Sequence, residues 1–307
     1  MLRILRAQAR DANKCSIFFS AVRSVRIQEP LKKKEEYEWG SPEFKIYPSG
    51  IDFNMCPLTY LESRLQWDGI NNLKGIYRVK RGKALHWEMQ EDFKDSDRIY
   101  PKPNTDNMTD RIKEKLESEW PEVPFHDTEE NAYIKDEDGN LIVTGLSGSM
   151  DSVINWKGPT PVEIKSTSIP IEKWKAHIQD NLPDVKHICQ VATYMVMANR
   201  LNYYPEKVDK GILAYLNLLY APEDQDCEAE FVIHLDKPHP KLVEKGYTGT
   251  VGELTEDLLF KGLAPTRKNF IENYLQEEKK EVLCTYSRCP KHGKQSRTKI
   301  RKNTGSS

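Results

Sequence analysis

From Ser49 onward apolar residues recur at helical spacing, at Ile51, Phe53, Cys56, Tyr60 and Leu61, and predict a helix there. A second helix is predicted from Arg81 to about Asp92, carrying His86, and a charged one from Thr109 to Trp120. Between them residues 95–108, rich in Asp, Asn and Pro, read as a loop. The period then shortens to two. Strands are predicted at Asn131–Lys135, Leu141–Thr144, Met150–Trp156 and Pro161–Ser166, with a turn at 136–140. Asp184 to Leu201 reads as a strongly apolar helix, Gly211–Leu219 and Glu230–Leu235 as strands, and Val251 to Gln276 as helices. Helices interleaved with strands in this order predict an α/β fold with a mixed central β-sheet flanked by helices. Residues 27–48 are polar and punctuated by proline, so they read as a linker. The expected organisation is a basic segment and linker over 1–48, one domain over 49–290 and a basic tail over 291–307.

Composition narrows the classes. Of the 307 residues 30% are charged and 38% hydrophobic. No apolar run reaches the ~20 residues a membrane-spanning helix needs; the longest, Cys15 to Val22, is far shorter. Six cysteines are too few for a disulfide-stapled scaffold, which points to a reducing compartment and leaves thiols available for metal. The expected location is therefore the cytoplasm, or the host cytoplasm for a viral protein. The net charge of −1 hides an asymmetry: residues 1–34 carry +7 and 291–307 carry +6, leaving −14 for the body. Such a distribution suits a carboxylate-rich site whose anionic partner is held by peripheral Lys and Arg; it equally suits solvated tails. Residues 1–26, rich in Arg and nearly free of acid, read as a transit peptide, an N-terminal helix or a basic arm.

The densest chemistry lies in residues 145–168. Two β-type runs flank Lys157-Gly158-Pro159. A hairpin folded symmetrically about Lys157 sets Val153 opposite Pro161 and Asp151 opposite Glu163, and strand alternation puts Lys165 on the Glu163 face. Two opposed carboxylates repel, and burial would raise one pKa. A hard divalent cation between them, Mg²⁺ or Mn²⁺, removes the conflict and can activate water against a phosphate. Lys165 would then orient that water or offset developing charge. The bland alternative is a surface hairpin with ordinary charges. Downstream, Gln190 and Tyr194 stand at i and i+4 among apolar residues, either as a helix edge or as a face toward the site.

These motifs together resemble the PD-(D/E)XK nuclease superfamily, in its RecB-like branch. The branch's pattern of helical G-x-x-x-H, then G-x-x-D, (D/E)-x-K and Q-x-x-x-Y is met by Gly82 to His86, Gly148 to Asp151, Glu163-Ile164-Lys165 and Gln190 to Tyr194. The resemblance covers roughly residues 49–235. It implies a restriction-endonuclease-like core. It also implies Asp151, Glu163, His86 and the Ile164 carbonyl as ligands of Mg²⁺ or Mn²⁺, Lys165 as the catalytic lysine, and Gln190 and Tyr194 in support. A histidine ligand fits Mn²⁺ better than Mg²⁺.

Cys56-Pro57 and the cysteines in 284–289 resemble the iron–sulfur variety of these nucleases, in which one N-terminal cysteine joins three near the C-terminus. Here only Cys284 and Cys289 stand at that end, with His292 as a candidate fourth ligand and Cys227 as a more distant one. A [4Fe–4S] cluster, a Cys₃His zinc site and buried free thiols all remain open. Cys15 and Cys189 read as incidental.

The resemblance implies a metal-dependent deoxyribonuclease, an exonuclease on single strands or duplex ends, with Lys80 and Arg81 among the phosphate contacts. Phage recombination, CRISPR spacer processing and repair all suit it. The phosphate-loop signature G-x-x-x-x-G-K-[ST] is absent, so unwinding would fall to a helicase partner. A catalytically silent nucleic-acid-binding or assembly module on the same fold is the alternative, and a zinc-stabilised interaction protein a third.

Overall fold

The structure, a computed structural model, describes residues 45–65, 73–127, 135, 138–176, 183–218, 228–273, 284 and 286–291. The chain divides into two compact units, Met1–Trp39 with Gln66–Leu85, and Gly40–Leu65 with His86–Ser307. Of the smaller unit residues 73–85 are described, the first turns of a helix that continues into the larger one.

A 3₁₀ turn at Pro48–Gly50 leads to helices α1 (Pro57–Leu65), α2 (Leu73–Lys94) and α3 (Asp110–Glu119). Strands β1 (Val123–His126), β2 (Ser147–Met150), β3 (Ser152–Asn155) and β4 (Pro159–Thr167) follow, then the short α4 (Ile171–Trp174). After α5 (Val185–Arg200) come β5 (Lys210–Asn217), β6 (Glu228–His234) and α6 (Pro240–Glu244). The described helices end with α7 (Val251–Glu256), a π-helical stretch over Asp257–Leu263, and α8 (Ala264–Asn273). The protein is α/β. Its mixed four-stranded sheet has the order β3-β4-β5-β6, with β4 and β5 parallel and the outer pairs antiparallel, and β1 and β2 form a separate antiparallel pair. Among the described residues no helix is long and apolar enough to cross a membrane.

Helix α5 is the centre of the core. The side chain of Asp184 caps it by accepting from the Lys186 N–H at 3.0 Å, and the run from Ile188 to Ala198 is buried. It serves as the crossover that parallel strands β4 and β5 require. Gly211 on β5 lets it lie close: a Cβ there would stand 2.6 Å from Val191 Cγ1 and 3.3 Å from the Pro161 carbonyl. Gly211→Ala is accordingly expected to destabilise the fold by about 1–3 kcal/mol through overpacking. Urea melts would read this as a lower midpoint with unchanged slope; an unchanged midpoint would mean that the helix is free to shift.

Several boundaries differ from the sequence expectation. Ile46 and Pro48, expected in the linker, are buried, and Ile46 bridges to Leu146. The helix expected from Ser49 starts only at Pro57, because the Asp52 side chain accepts from the Asn54 N–H at 2.8 Å and holds the intervening residues as turns. Helix α2 begins earlier than Arg81; the basic run Arg78–Lys83 masked its period although Lys and Arg are good helix formers. Leu141–Thr144 makes an isolated bridge rather than a strand. The Thr144 N–H goes to the Asp127 carboxylate at 2.7 Å, and Gly145 turns the chain at φ +72°. Strand Asn131–Lys135 lies outside the described residues except for Lys135, as do residues 1–44 and the tail beyond Lys291.

Candidate active site and cysteine cluster

The predicted register is the observed one. Val153 faces Pro161 and Ser152 faces Val162, so the next step along brings Asp151 across from Glu163. The expected strand Met150–Trp156 is nevertheless broken at Asp151, where the chain leaves β2, paired to β1, and enters β3, paired to β4. The Asp151 carboxylate turns onto β4 and accepts from the Ile164 N–H at 2.6 Å. On α2, His86 points to the same group, with Nδ1 3.5 Å from Asp151 Oδ1. Burial alone would lower the His86 pKa, but the hydrogen bond to Asp151 and the charges of Asp151 and Glu163 outweigh it, and the net shift is upward.

Glu163 is buried in the middle of β4, with 3% of its surface exposed. Its Oε1 accepts from Lys165 Nζ and, at 2.8 Å, from Gln190 Nε2. Gln190 uses its whole amide: its oxygen accepts from Lys165 at 2.9 Å, and its nitrogen also donates to the Tyr194 hydroxyl at 2.7 Å. One turn of α5 therefore reads both functional residues of β4. Burial and the Asp151 charge push the Glu163 carboxyl upward against the opposing pull of Lys165. Burial, with the nearby carboxylates, keeps the Tyr194 phenol protonated. Glu163 Oε2 is buried and has no hydrogen-bond partner among the described residues. A buried carboxylate oxygen without a partner is costly unless a cation meets it, and carboxylate and imidazole are donor types that divalent cations accept.

The structure thus gathers Asp151, Glu163, Lys165, His86, Ile164, Gln190 and Tyr194 into one place. The side chains of Lys80 and Arg81 lie outside the described residues. It also adds groups that the motifs did not mark. Gln90, one turn after His86, donates to the Asp151 carbonyl at 2.8 Å and to Glu122 Oε1 at 3.3 Å. Burial and the Asp151 charge raise the Glu122 pKa. Lys115 reaches Ser149 Oγ at 3.3 Å, two residues before Asp151. Beyond Lys165, His187 Nδ1 and the Tyr215 hydroxyl are 2.6 Å apart, with Tyr215 beside Lys165 in register. Burial and the Lys165 charge lower the His187 pKa to about 4, so that its ring is neutral. The i+4 spacing of His86 and Gln90 was visible in the sequence; the others depend on contacts between distant elements.

No family model matches the chain, and no curated protein does. A solved structure described as the crystal structure of SSO0001 aligns over 78% of this chain and 86% of its own, at 16% identity and a TM-score of 0.37. A likeness that loose carries no functional weight.

The second cluster joins the two ends of the larger unit. The sulfurs of Cys56, Cys284 and Cys289 all lie within 4.8 Å of one another, and the set can hold a metal ion. None of the three is in a disulfide; Cys56 and Cys289 are buried and Cys284 is half-buried. The Thr59 N–H donates to Cys56 Sγ at 3.5 Å. Burial pushes the Cys284 thiol up to about 12, against backbone hydrogen bonds from Tyr286 and Leu58 that favour thiolate. The C-terminal segment is seated by Tyr286, whose ring lies where a Cβ on Gly262 would be, and by Arg288, 3.1 Å from Asp257. His292, Cys227 and Cys15 lie outside the described residues. Cys189 is buried in α5, apart from the cluster.

Proposed function

We propose that the protein is a metal-dependent deoxyribonuclease of the PD-(D/E)XK type, RecB-like, an exonuclease on single strands or duplex ends, with a restriction-endonuclease-like core. The single observation that carries this reading is the buried Glu163 carboxylate, across the hairpin from Asp151, whose own carboxylate His86 approaches at 3.5 Å. Asp151, Glu163, His86 and the Ile164 carbonyl would hold Mg²⁺ or Mn²⁺, which supplies Lewis acidity toward a phosphodiester and a more acidic water.

The chain's own groups do the rest. Lys165, fixed between Glu163 and the Gln190 carbonyl, presents its ammonium where it can orient an attacking water and offset charge building on phosphate. Gln190 sets that direction, and the protonated Tyr194 lends its hydroxyl to the same network. Lys115 with Ser149 is suited to hold a neighbouring phosphate without reading sequence. The three cysteines would carry zinc or a [4Fe–4S] cluster with a fourth ligand such as His292, which would clasp the ends of the domain. Strand separation, where needed, would come from a helicase or recombination partner.

The test is digestion of DNA labelled at either end, single- and double-stranded, with Mg²⁺, Mn²⁺ or EDTA. Metal-dependent cleavage is expected from wild type and is expected to fall by about 10²–10⁴-fold in Lys165→Ala. A folded wild type that binds DNA and cleaves none of these substrates would instead support the silent binding module.

A further inference from the structure

Asp151 stands where the chain passes from one sheet to the other. Its backbone leaves the β1–β2 ladder after Met150, and the β3–β4 ladder begins at Ser152. A residue at such a break loses the ladder partners that fix its neighbours, and a buried carbonyl without a donor is costly. Two groups make good the loss. The Ile164 N–H holds the carboxylate, and Gln90 Nε2 holds the carbonyl at 2.8 Å. Gln90 is itself buried, with 6% of its surface exposed, and its amide nitrogen also meets Glu122 Oε1 at 3.3 Å. Glu122 directly precedes Val123, the β1 residue paired with Met150. On α2, Gln90 lies four residues after His86 and so on the same side of the helix.

We infer that Gln90 is the positioning residue of the cation site. It ties α2, which carries His86, to the break that carries Asp151, and Glu122 anchors it from the start of β1. The inference rests on the reading that Asp151, Glu163 and His86 hold a divalent cation. It goes beyond that reading in naming what sets the distance between the imidazole and the carboxylate. Without the Gln90 amide, the bend and the helix would each keep their hydrophobic packing but lose their mutual register. Removal of an outer partner of this kind typically weakens metal affinity by 10–100-fold.

The experiment is Mn²⁺ titration of the full chain by calorimetry, with thermal melts in parallel, on wild type, Gln90→Met and Glu122→Gln. Gln90→Met keeps the length and burial of the side chain and is expected to melt as a folded protein with Mn²⁺ affinity about 10–100-fold weaker. Its cleavage rate should recover substantially at saturating Mn²⁺, whereas damage to the fold would not be mended by metal. Glu122→Gln keeps an acceptor for the Gln90 amide and is expected to bind Mn²⁺ within about threefold of wild type, on the order of 0.7 kcal/mol. Wild-type Mn²⁺ affinity in Gln90→Met would overturn the inference, and so would a loss in Glu122→Gln as large as in Gln90→Met, which would make Glu122 a charge on the metal. Wild type that binds no Mn²⁺ also overturns it. Wild type that binds Mn²⁺ but cleaves nothing removes the nuclease reading alone, because the titration still reports on Gln90.

Discussion

Glu163→Gln is expected to cut metal-dependent cleavage sharply while making the metal-free protein more stable at alkaline pH. The two effects have one cause. In the metal-free protein the ionised Glu163 leaves Oε2 buried and unpartnered, and burial with the Asp151 charge pushes its pKa above the ordinary 4.5. A folded-state pKa raised in this way makes a stabilising contribution that is complete below the unfolded value near 4.5. That contribution is lost as pH rises through the folded value. At pH 8 the charge is therefore a liability, and the amide removes it while keeping an oxygen for Gln190 and Lys165 to donate to. Melting of the metal-free variant at pH 8 should rise by a few degrees, about 2–4 °C per kcal/mol for a domain of this order, and the gain should shrink toward pH 5. Mn²⁺ should raise the wild-type melting temperature and leave the variant nearly unmoved, since only a form that binds metal is stabilised by it. Cleavage should fall on the order of 10³-fold, the scale expected from losing one preorganised electrostatic group. Equal Mn²⁺ stabilisation of variant and wild type would show that Glu163 touches no metal.

The parts of this site that were legible in the sequence are those built by local rules. The hairpin register follows from a turn at Lys157-Gly158 and from strand alternation, so Asp151, Glu163 and Lys165 could be placed before any tertiary contact was known. Gln190 and Tyr194 followed from the period of one helix. What the sequence hid is decided by polar satisfaction between elements far apart. Asp127 takes the Thr144 N–H and so prevents a strand at 141–144, and nothing near either residue announces the contact. Gln90 looks like any polar helix residue until the break at Asp151 leaves a carbonyl for it to meet. Strands β1 and β2 are short and carry Pro124, Gly148 and two serines, a composition with weak strand propensity, and they are held in place by pairing with each other. Burial of Ile46 is of the same kind: its partner Leu146 is a hundred residues away.

If the cysteine cluster holds a metal, its removal is expected to cost more stability than any single substitution in the candidate site around Asp151 and Glu163. Cys56 precedes α1 and Cys284 lies 228 positions later, yet their sulfurs and that of Cys289 are within 4.8 Å. A metal bridging them closes nearly the whole described chain into one loop. In the chain-entropy account a cross-link over a loop of that length is worth about 5 kcal/mol, and a metal clip gains in the same way. At about 2–4 °C per kcal/mol, chelation or Cys56→Ser should lower the melting temperature by about 10–20 °C, and Cys289→Ser should match it. Cys189→Ser, in the core but outside the cluster, should lose no metal. Elemental analysis of the purified protein separates the two candidate occupants: zinc with a colourless solution, or iron and sulfide with broad visible absorption that disappears in Cys56→Ser. Protein that contains neither metal, with Cys56→Ser melting at the wild-type temperature, would reduce the cluster to three thiols packed as small apolar groups. The ends of the domain would then be joined by contacts such as Lys291 with the Thr59 hydroxyl and Tyr247 with the Phe53 carbonyl.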